Sequence, residues 1–299
     1  MYIALFLFLA VSGIIMPRSV GKSSMQTVIL EASLLGIVAL GQGVVMLSGG
    51  LDISVGNTMF FVIVYGGNLM ATHPDWLIPI VLFCLAVGGL VGAINGIGVA
   101  KIKISPIIMT LATSSMLFGS VYIFGGGRLG GAVPGSLQAI GKKIVGEFFP
   151  LTGFIWLGLA AVSAFILHRT TYGRKIYATG NNPRAAWLSG VNSDGVLIQS
   201  YIVCGFLSAL AGILLLGYLG TPTLRFTDIY TMGSIAASVL GGVEFFQGVG
   251  SIIGTVAGAF WVRFIFTLLI MLNVSEAGRM IAEGLLIIII VGAYKLRER

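Results

Sequence analysis

The stretch WLIPIVLFCLAVGGLVGAINGIGVA, Trp76–Ala100, carries no charged side chain along its whole length. A helix crosses the hydrocarbon core of a bilayer in about 20 apolar residues, so this segment reads as a transmembrane span. Similar apolar runs fall at about residues 2–16, 25–47, 54–71, 105–124, 151–168, 196–219, 229–241, 251–272 and 278–294. Together they predict an all-α fold, a polytopic transmembrane bundle of about ten spans. The run at 229–241 is short. It predicts a half-spanning or broken helix whose backbone is satisfied by protein or by a water-filled cavity.

Composition agrees. Of 299 residues, 57% are hydrophobic and 9% charged, and the mean hydropathy is +1.04. Soluble domains carry roughly 25% charged residues, so a water-facing surface cannot be assembled from this chain. No polar tract is long enough for a second domain, and residues 1–299 read as one membrane domain. The net charge of +7 is distributed as short clusters beside apolar runs: Lys101 with Lys103, Arg169 to Lys175, and Lys295 to Arg299. Such flanks belong to membrane spans and argue against a nucleic-acid partner. Cys84 and Cys204 each sit inside an apolar run and read as small buried hydrophobes. Met1–Met16 lacks the basic start and small-residue cleavage site of a signal peptide, and reads as a retained first span.

Ten spans bring both termini to one side. Placing that side in the cytoplasm puts Lys101, Lys103, Arg169, Arg174, Lys175, Arg184, Lys295, Arg297 and Arg299 inside, crowded against span ends in short loops. Arg18, Lys22, Arg128, Lys142, Lys143, Arg225 and Arg279 then fall outside. The crowding follows the positive-inside rule, and both termini are expected to be cytoplasmic.

Glycine spacing adds a packing signal. Gly88, Gly92 and Gly96 recur every fourth residue, as do Gly250, Gly254 and Gly258. That spacing lines one helix face and lets a neighbouring backbone approach. Static close packing and a sliding helix pair both fit, close packing being the commoner use.

Nucleotide-binding and metal motifs are missing from the sequence. Gly21-Lys22-Ser23 is the nearest approach to a phosphate-cradling loop, but Met16 stands where its first glycine belongs. His73 and His168 lie beside different loops on opposite sides, which argues against a paired metal or catalytic role for them. No cofactor is expected on this chain.

Between the sixth and seventh runs lies a polar loop, at about 169–195. Asn182 followed by Pro183 is a helix start with proline at the first helical position. Ala185, Ala186, Trp187 and Leu188 continue the helix, and Gly190 stops it. A helix of about two turns is unstable alone in water, so it must dock, either on its own protein or on a partner.

Three segments carry a family resemblance. Tyr172-Gly173-Arg174 through Gly180-Asn181-Asn182-Pro183-Arg184-Ala185-Ala186-Trp187-Leu188-Ser189-Gly190-Val191 is the first. Leu47-Ser48-Gly49-Gly50-Leu51-Asp52-Ile53-Ser54-Val55-Gly56 is the second. The third runs from Ala236-Ala237-Ser238-Val239-Leu240-Gly241-Gly242 to Gly248-Val249-Gly250-Ser251-Ile252-Ile253-Gly254-Thr255. Taken in chain order, 47–56, 172–191 and 236–255, they resemble ribose-type (sugar) ABC importer permeases, the inner-membrane components of bacterial binding-protein-dependent transport, from the second span onward.

The resemblance implies a transport subunit rather than an enzyme, seated in the bacterial inner membrane. It implies a second permease subunit, identical or distinct, and two cytoplasmic ATPase subunits that hold ATP and Mg. A soluble extracytoplasmic solute-binding protein would deliver the cargo. The segment from Gly180 to Gly190 would be the ATPase-coupling element, its helix turning motion of a groove on the ATPase into rotation of the attached spans. The cargo implied is a small polar solute such as a sugar. Two segments depart from the family: Glu244-Phe245-Phe246-Gln247 replaces small or polar residues, and Trp187 replaces a basic, polar or small one. Both fall on the expected ATPase-facing side, where they would tune the partner surface or mark pairing with a distinct second permease.

Gly49, Gly50, Asp52, Ser54 and Gly56 describe a tight reversal after the second span. Asp52 is placed to accept backbone N–H bonds at the start of the third, with a direct gating role as the other reading. Glu31, Arg263 and Glu283 are charges within apolar runs. Each costs roughly 2.5–3.5 kcal/mol or more near the bilayer centre and needs a partner or water. Arg263 and Glu283 fall at similar depth, which predicts an ion pair joining the last two spans. The pathway wall is expected to be polar and uncharged, with Gln42, Asn57, Asn95, Thr110, Thr113 and Ser114 as candidates. Glu31 and Glu283 keep a second class open, an ion-coupled secondary transporter. Within the superfamily, a permease for nucleosides or branched-chain amino acids is a further alternative.

Overall fold

The structure, a computed structural model, describes residues 2–125, 130–223 and 228–297. Arg128, Arg225 and Arg299, counted above in the charge distribution, lie outside the described residues, as does Met1. The chain forms helices α1 (Tyr2–Ile15), α2 (Lys22–Leu47), α3 (Val55–Phe61), α4 (Gly67–Thr72), α5 (Leu77–Ala100) and α6 (Pro106–Gly125). A short α7 (Gly135–Lys142) precedes a two-stranded hairpin of β1 (Ile144–Val145) and β2 (Phe149–Pro150). Then follow α8 (Leu151–Arg169), α9 (Thr171–Asn181), α10 (Pro183–Leu188) and α11 (Ser193–Leu219). The chain ends in α12 (Asp228–Leu240), α13 (Ile252–Met271) and α14 (Glu276–Arg297).

Among the described residues, six helices are long and apolar enough to cross a membrane: Lys22–Leu47, Pro74–Ala100, Pro106–Ile123, Leu151–Arg169, Ser193–Leu219 and Ile252–Met271. Every run read from the sequence is helical, but the remaining ones do not all form long spans. The third is broken, since Val62–Gly66 forms a π turn between α3 and α4. Such turns leave the ordinary i→i−4 ladder and commonly sit at functional positions. The run at 229–241 forms the short α12, as its length predicted.

The core is built around α2, which is buried along nearly its whole span. A helix apolar on every side must be surrounded, and α8, α11, α12 and α13 pack around it. The most extensive pairing is α5 on α11, and glycine is its cause. A Cβ on Gly92 would collide with the Tyr201 carbonyl oxygen, and one on Gly96 would come within 2.8 Å of Ile198 Cα. Gly254 and Gly258 meet the backbone of Gly241 and Ala237 in the same way, seating α13 on α12. Gly250 lies ahead of α13 and turns the chain at φ +141°.

Hydrogen bonds and ion pairs sort the connections to two ends. At one end Lys103 pairs with Asp194 at 2.8 Å, Ile53 N–H donates to Thr110, and Tyr177 donates to the Gly250 carbonyl. At the other, Gln26 donates to the Glu147 carbonyl and Gly130 N–H to Asn68, while Val133 N–H donates to the Gly220 carbonyl.

Candidate functional site

Helix α10 forms as the residues dictate. The Asn182 side chain accepts from Ala185 N–H at 2.9 Å, capping the helix, and Pro183 fills the first turn, where its missing N–H costs nothing. At the far end Gly190 adopts φ +84°, with Gly190 N–H on the Trp187 carbonyl and Val191 N–H on that of Ala186. This left-handed close satisfies carbonyls that the helix leaves unpaired. Ala186 is buried against the body, whereas Trp187 and Leu188 are 66% and 71% exposed. Arg184 and Ser189 share that open surface.

What holds this helix to the bundle is α9, formed where the sequence predicts a polar loop. Thr170 caps α9 through Gly173 N–H. Its end packs into the junction between α2 and the 241–250 connection: a Cβ on Gly180 would strike the Leu47 carbonyl and come within 2.8 Å of Gly248 Cα. Asn181 donates to the Gln247 carbonyl at 3.4 Å and Tyr177 to that of Gly250 at 3.1 Å. Burial raises the Tyr177 pKa above the usual phenol value, so it keeps the proton it donates. Phe246 and Val249, about half exposed, share this end of the molecule with Trp187. The two unusual segments, Glu244–Gln247 and Trp187, thus belong to one platform.

Beside it lies the reversal after α2. Gly49 turns at φ +88° while Gly49 N–H bonds the Met46 carbonyl and Gly50 N–H that of Val45. Asp52, 1% exposed, accepts from Ser54 N–H at 2.8 Å and from Ser54 Oγ at 2.6 Å. Asn95 of α5 donates to the same Ser54 Oγ at 2.9 Å. Gly56 N–H bonds Thr231 of α12. Tyr201 of α11, fully buried, donates to the Leu51 carbonyl at 3.1 Å and accepts from Leu51 N–H at 3.2 Å. The reversal is therefore tied to three helices. Asp52→Ala leaves Ser54 N–H buried without an acceptor and should cost about 2 kcal/mol; Tyr201→Phe, which removes the two Tyr201 bonds and leaves the Leu51 carbonyl a 3.5 Å contact from Thr110, should cost about the same. Unfolding of the purified chain in detergent measures each, and a loss under about 0.5 kcal/mol in both would contradict this assignment.

Of the six polar positions expected on a pathway, two line a cavity. Asn57 donates to Ser114 at 2.7 Å. Both face a partly open space of about 370 Å³ between α3, α6 and α12, shared with Thr231, Met232, Ser115 and Phe118. That volume suits a small molecule, since ligand sites run roughly 300–1,000 Å³. The other four do not line this cavity. Thr110 accepts from Ile53 N–H and donates to the Pro106 carbonyl, and Thr113 donates to that of Met109. Asn95 holds Ser54, and Gln42 is fully buried on α2 against Cys204. Thr231 was missed because nothing in the sequence shows which face of a short apolar helix meets α3. A wider groove of about 580 Å³ beside α8 and α13 is lined by apolar side chains such as Leu157, Ala164 and Phe260. It offers a polar solute no hydrogen bond.

The expected Arg263–Glu283 ion pair is not formed. Among the described residues the ion pairs are Lys22–Glu147 and Lys103–Asp194. Both α13 and α14 pack on α12. Arg263 lies over the Tyr230 ring of α12, 4.9 Å from its centroid, a cation–π contact. Glu283 Oε1 lies beside Gly233 of the same helix and has no hydrogen-bond partner. Glu31 sits half-buried on α2.

A capped helix exposing Trp187 and Leu188 thus lies at one end, and a cavity whose polar groups are uncharged lies between α3, α6 and α12. Residues 24–291 match the family described as branched-chain amino acid transport system / permease component, and the chain belongs to this family of ABC importer permeases. Its members are transport subunits, not enzymes. The chain is 32% identical to the ribose import permease protein of Haemophilus influenzae, over 97% of this chain and 90% of the relative. It is 31% identical to the autoinducer 2 import system permease protein of an Enterobacter species, over 95% and 83%. With the ribose import permease protein of Escherichia coli K12 it shares 30% identity, over 97% and 91%. No solved structure matches.

Proposed function

We propose that this chain forms one half of the translocation pathway of an importer for a small polar solute of the sugar class. The single observation that carries this reading is the cavity holding the Asn57–Ser114 pair, whose polar groups are all uncharged. Uncharged hydroxyl and amide groups suit a neutral solute and hold it weakly enough to let it leave. The named relatives import ribose and autoinducer 2, which supports the same class.

In this reading a second permease, identical or distinct, completes the pathway. ATP and Mg act in two cytoplasmic ATPases that seat α10, with Trp187 and Leu188 entering a groove on the partner, and a soluble extracytoplasmic protein delivers the cargo. The chain spans the inner membrane about ten times, with the α10 end and both termini in the cytoplasm. Gly180 to Gly190 couple to the ATPase, and Gly49, Gly50, Asp52, Ser54 and Gly56 transmit the movement to α3. Reconstitution in proteoliposomes with the ATPase and binding protein tests it: uptake should need ATP and ignore ion gradients. Uptake driven by a proton or sodium gradient without ATP would sink the reading.

A further inference from the structure

A second cavity, of about 270 Å³, lies between α12 and α14 and is lined by Met232, Phe266, Glu276, Arg279, Met280 and Glu283, among others. Glu276, Arg279, Met280 and Glu283 fall at spacings of three, four and seven, which places them on one face of α14. At 1.5 Å rise per residue, this face carries charge along roughly 10 Å of helix. Glu283 is only 7% exposed, and its Oε1 has no hydrogen-bond partner. A buried carboxylate oxygen left unpaired is costly, and here it belongs to a residue that lines a cavity large enough to admit a small solute.

We infer that this cavity is an outer subsite of the pathway that binds a neutral polyhydroxylated solute of monosaccharide size, with Glu283 and Glu276 accepting from its hydroxyl groups and Arg279 donating. Three features choose this chemistry. Carboxylates and a guanidinium offer acceptors and donors around one space. Phe266 and the two methionines supply an apolar wall for the ring of the solute. The two carboxylates are balanced by Arg279 and by Arg263 one helix away over Tyr230, so a neutral guest leaves no net charge buried. Met232 lines this cavity and the one holding Asn57, so it forms a wall common to both. A solute held by Glu283 thus shares the Met232 wall with the cavity of Asn57.

The inference rests on the transport reading above, and its test separates the two. The complex, with its ATPase and binding protein in proteoliposomes, is assayed for ATP-driven uptake of labelled D-ribose, D-xylose and D-glucose. Glu283→Gln should raise the KM for the accepted sugar at least 10-fold, with kcat and stimulated ATP hydrolysis within 2-fold of wild type. Glu276→Gln, on the exposed first turn where folding is not at stake, should raise KM about 3-fold. A purely structural role for Glu283 would lower the melting temperature and kcat and leave KM unchanged, which overturns the inference. Wild-type KM in both variants overturns it too while leaving the transport function standing. If the wild-type complex takes up none of the three sugars, the proposed function and this inference fall together.

Discussion

Gly92→Leu is expected to leave no folded chain in the membrane. Residue 92 sits where α5 crosses α11, and the atoms that its Cβ would strike are the Tyr201 carbonyl group and Ile202 Cα. These are backbone atoms in a helix, so no rotamer change relieves the clash; the two helices must separate. Separation would also pull on Gly88 and Gly96, which meet Gly205 and Ile198 along the same crossing. Even Gly92→Ala should cost about 3 kcal/mol, the upper part of the usual overpacking range, and leucine more. Tyr201 lies at the crossing, so the Leu51 reversal would loosen with it. Yield and monodispersity of the purified chain, followed by thermal unfolding of Gly92→Ala, check this. Wild-type yield for Gly92→Leu would mean that the crossing is looser than the structure places it.

The second large effect concerns function rather than folding. Trp187→Glu combined with Leu188→Glu should reduce ATP-driven uptake more than 10-fold while leaving the chain folded. Both side chains point away from the body, and only Ala186 of their helix is buried, so surface substitution should move stability by less than about 0.5 kcal/mol. If these residues enter a partner groove, two buried carboxylates there lack partners and weaken the complex. The readouts are co-purification with the ATPase, uptake in proteoliposomes, and a melting curve of the variant. Undiminished co-purification and uptake would remove α10 from the coupling role proposed for it.

The segment around α10 shows how local chemistry becomes legible. Asn182, Pro183 and Gly190 specify the start and stop of α10 through bonds that span at most five residues, so the helix is readable from the chain. Helix α9 was not read, because its glycines and polar residues resemble a loop until Gly180 is seen pressed against Leu47, far away in sequence. The pathway positions divide the same way. Asn57 and Ser114 meet across a cavity, whereas Thr110 and Asn95, alike in chemistry, are spent on Ile53 and Ser54. The ion pair between Arg263 and Glu283 was argued from depth along two helices, and depth was not enough. Depth along a helix does not fix the direction a side chain takes around it, and Arg263 lies over the Tyr230 ring.

By itself the sequence determined that the chain is a membrane-embedded helical protein, where its apolar helices run, and where α2 and α10 close on glycine. Each of these depends on composition or on bonds between near neighbours. Only the tertiary structure decided which residues face one another: Tyr201 on Leu51, Asn57 on Ser114, Glu283 on the cavity between α12 and α14. The reason is physical. A helix apolar on all sides carries no polar stripe to reveal its buried face, so its rotation is set by the shapes of its neighbours, and by the glycines that let them come close.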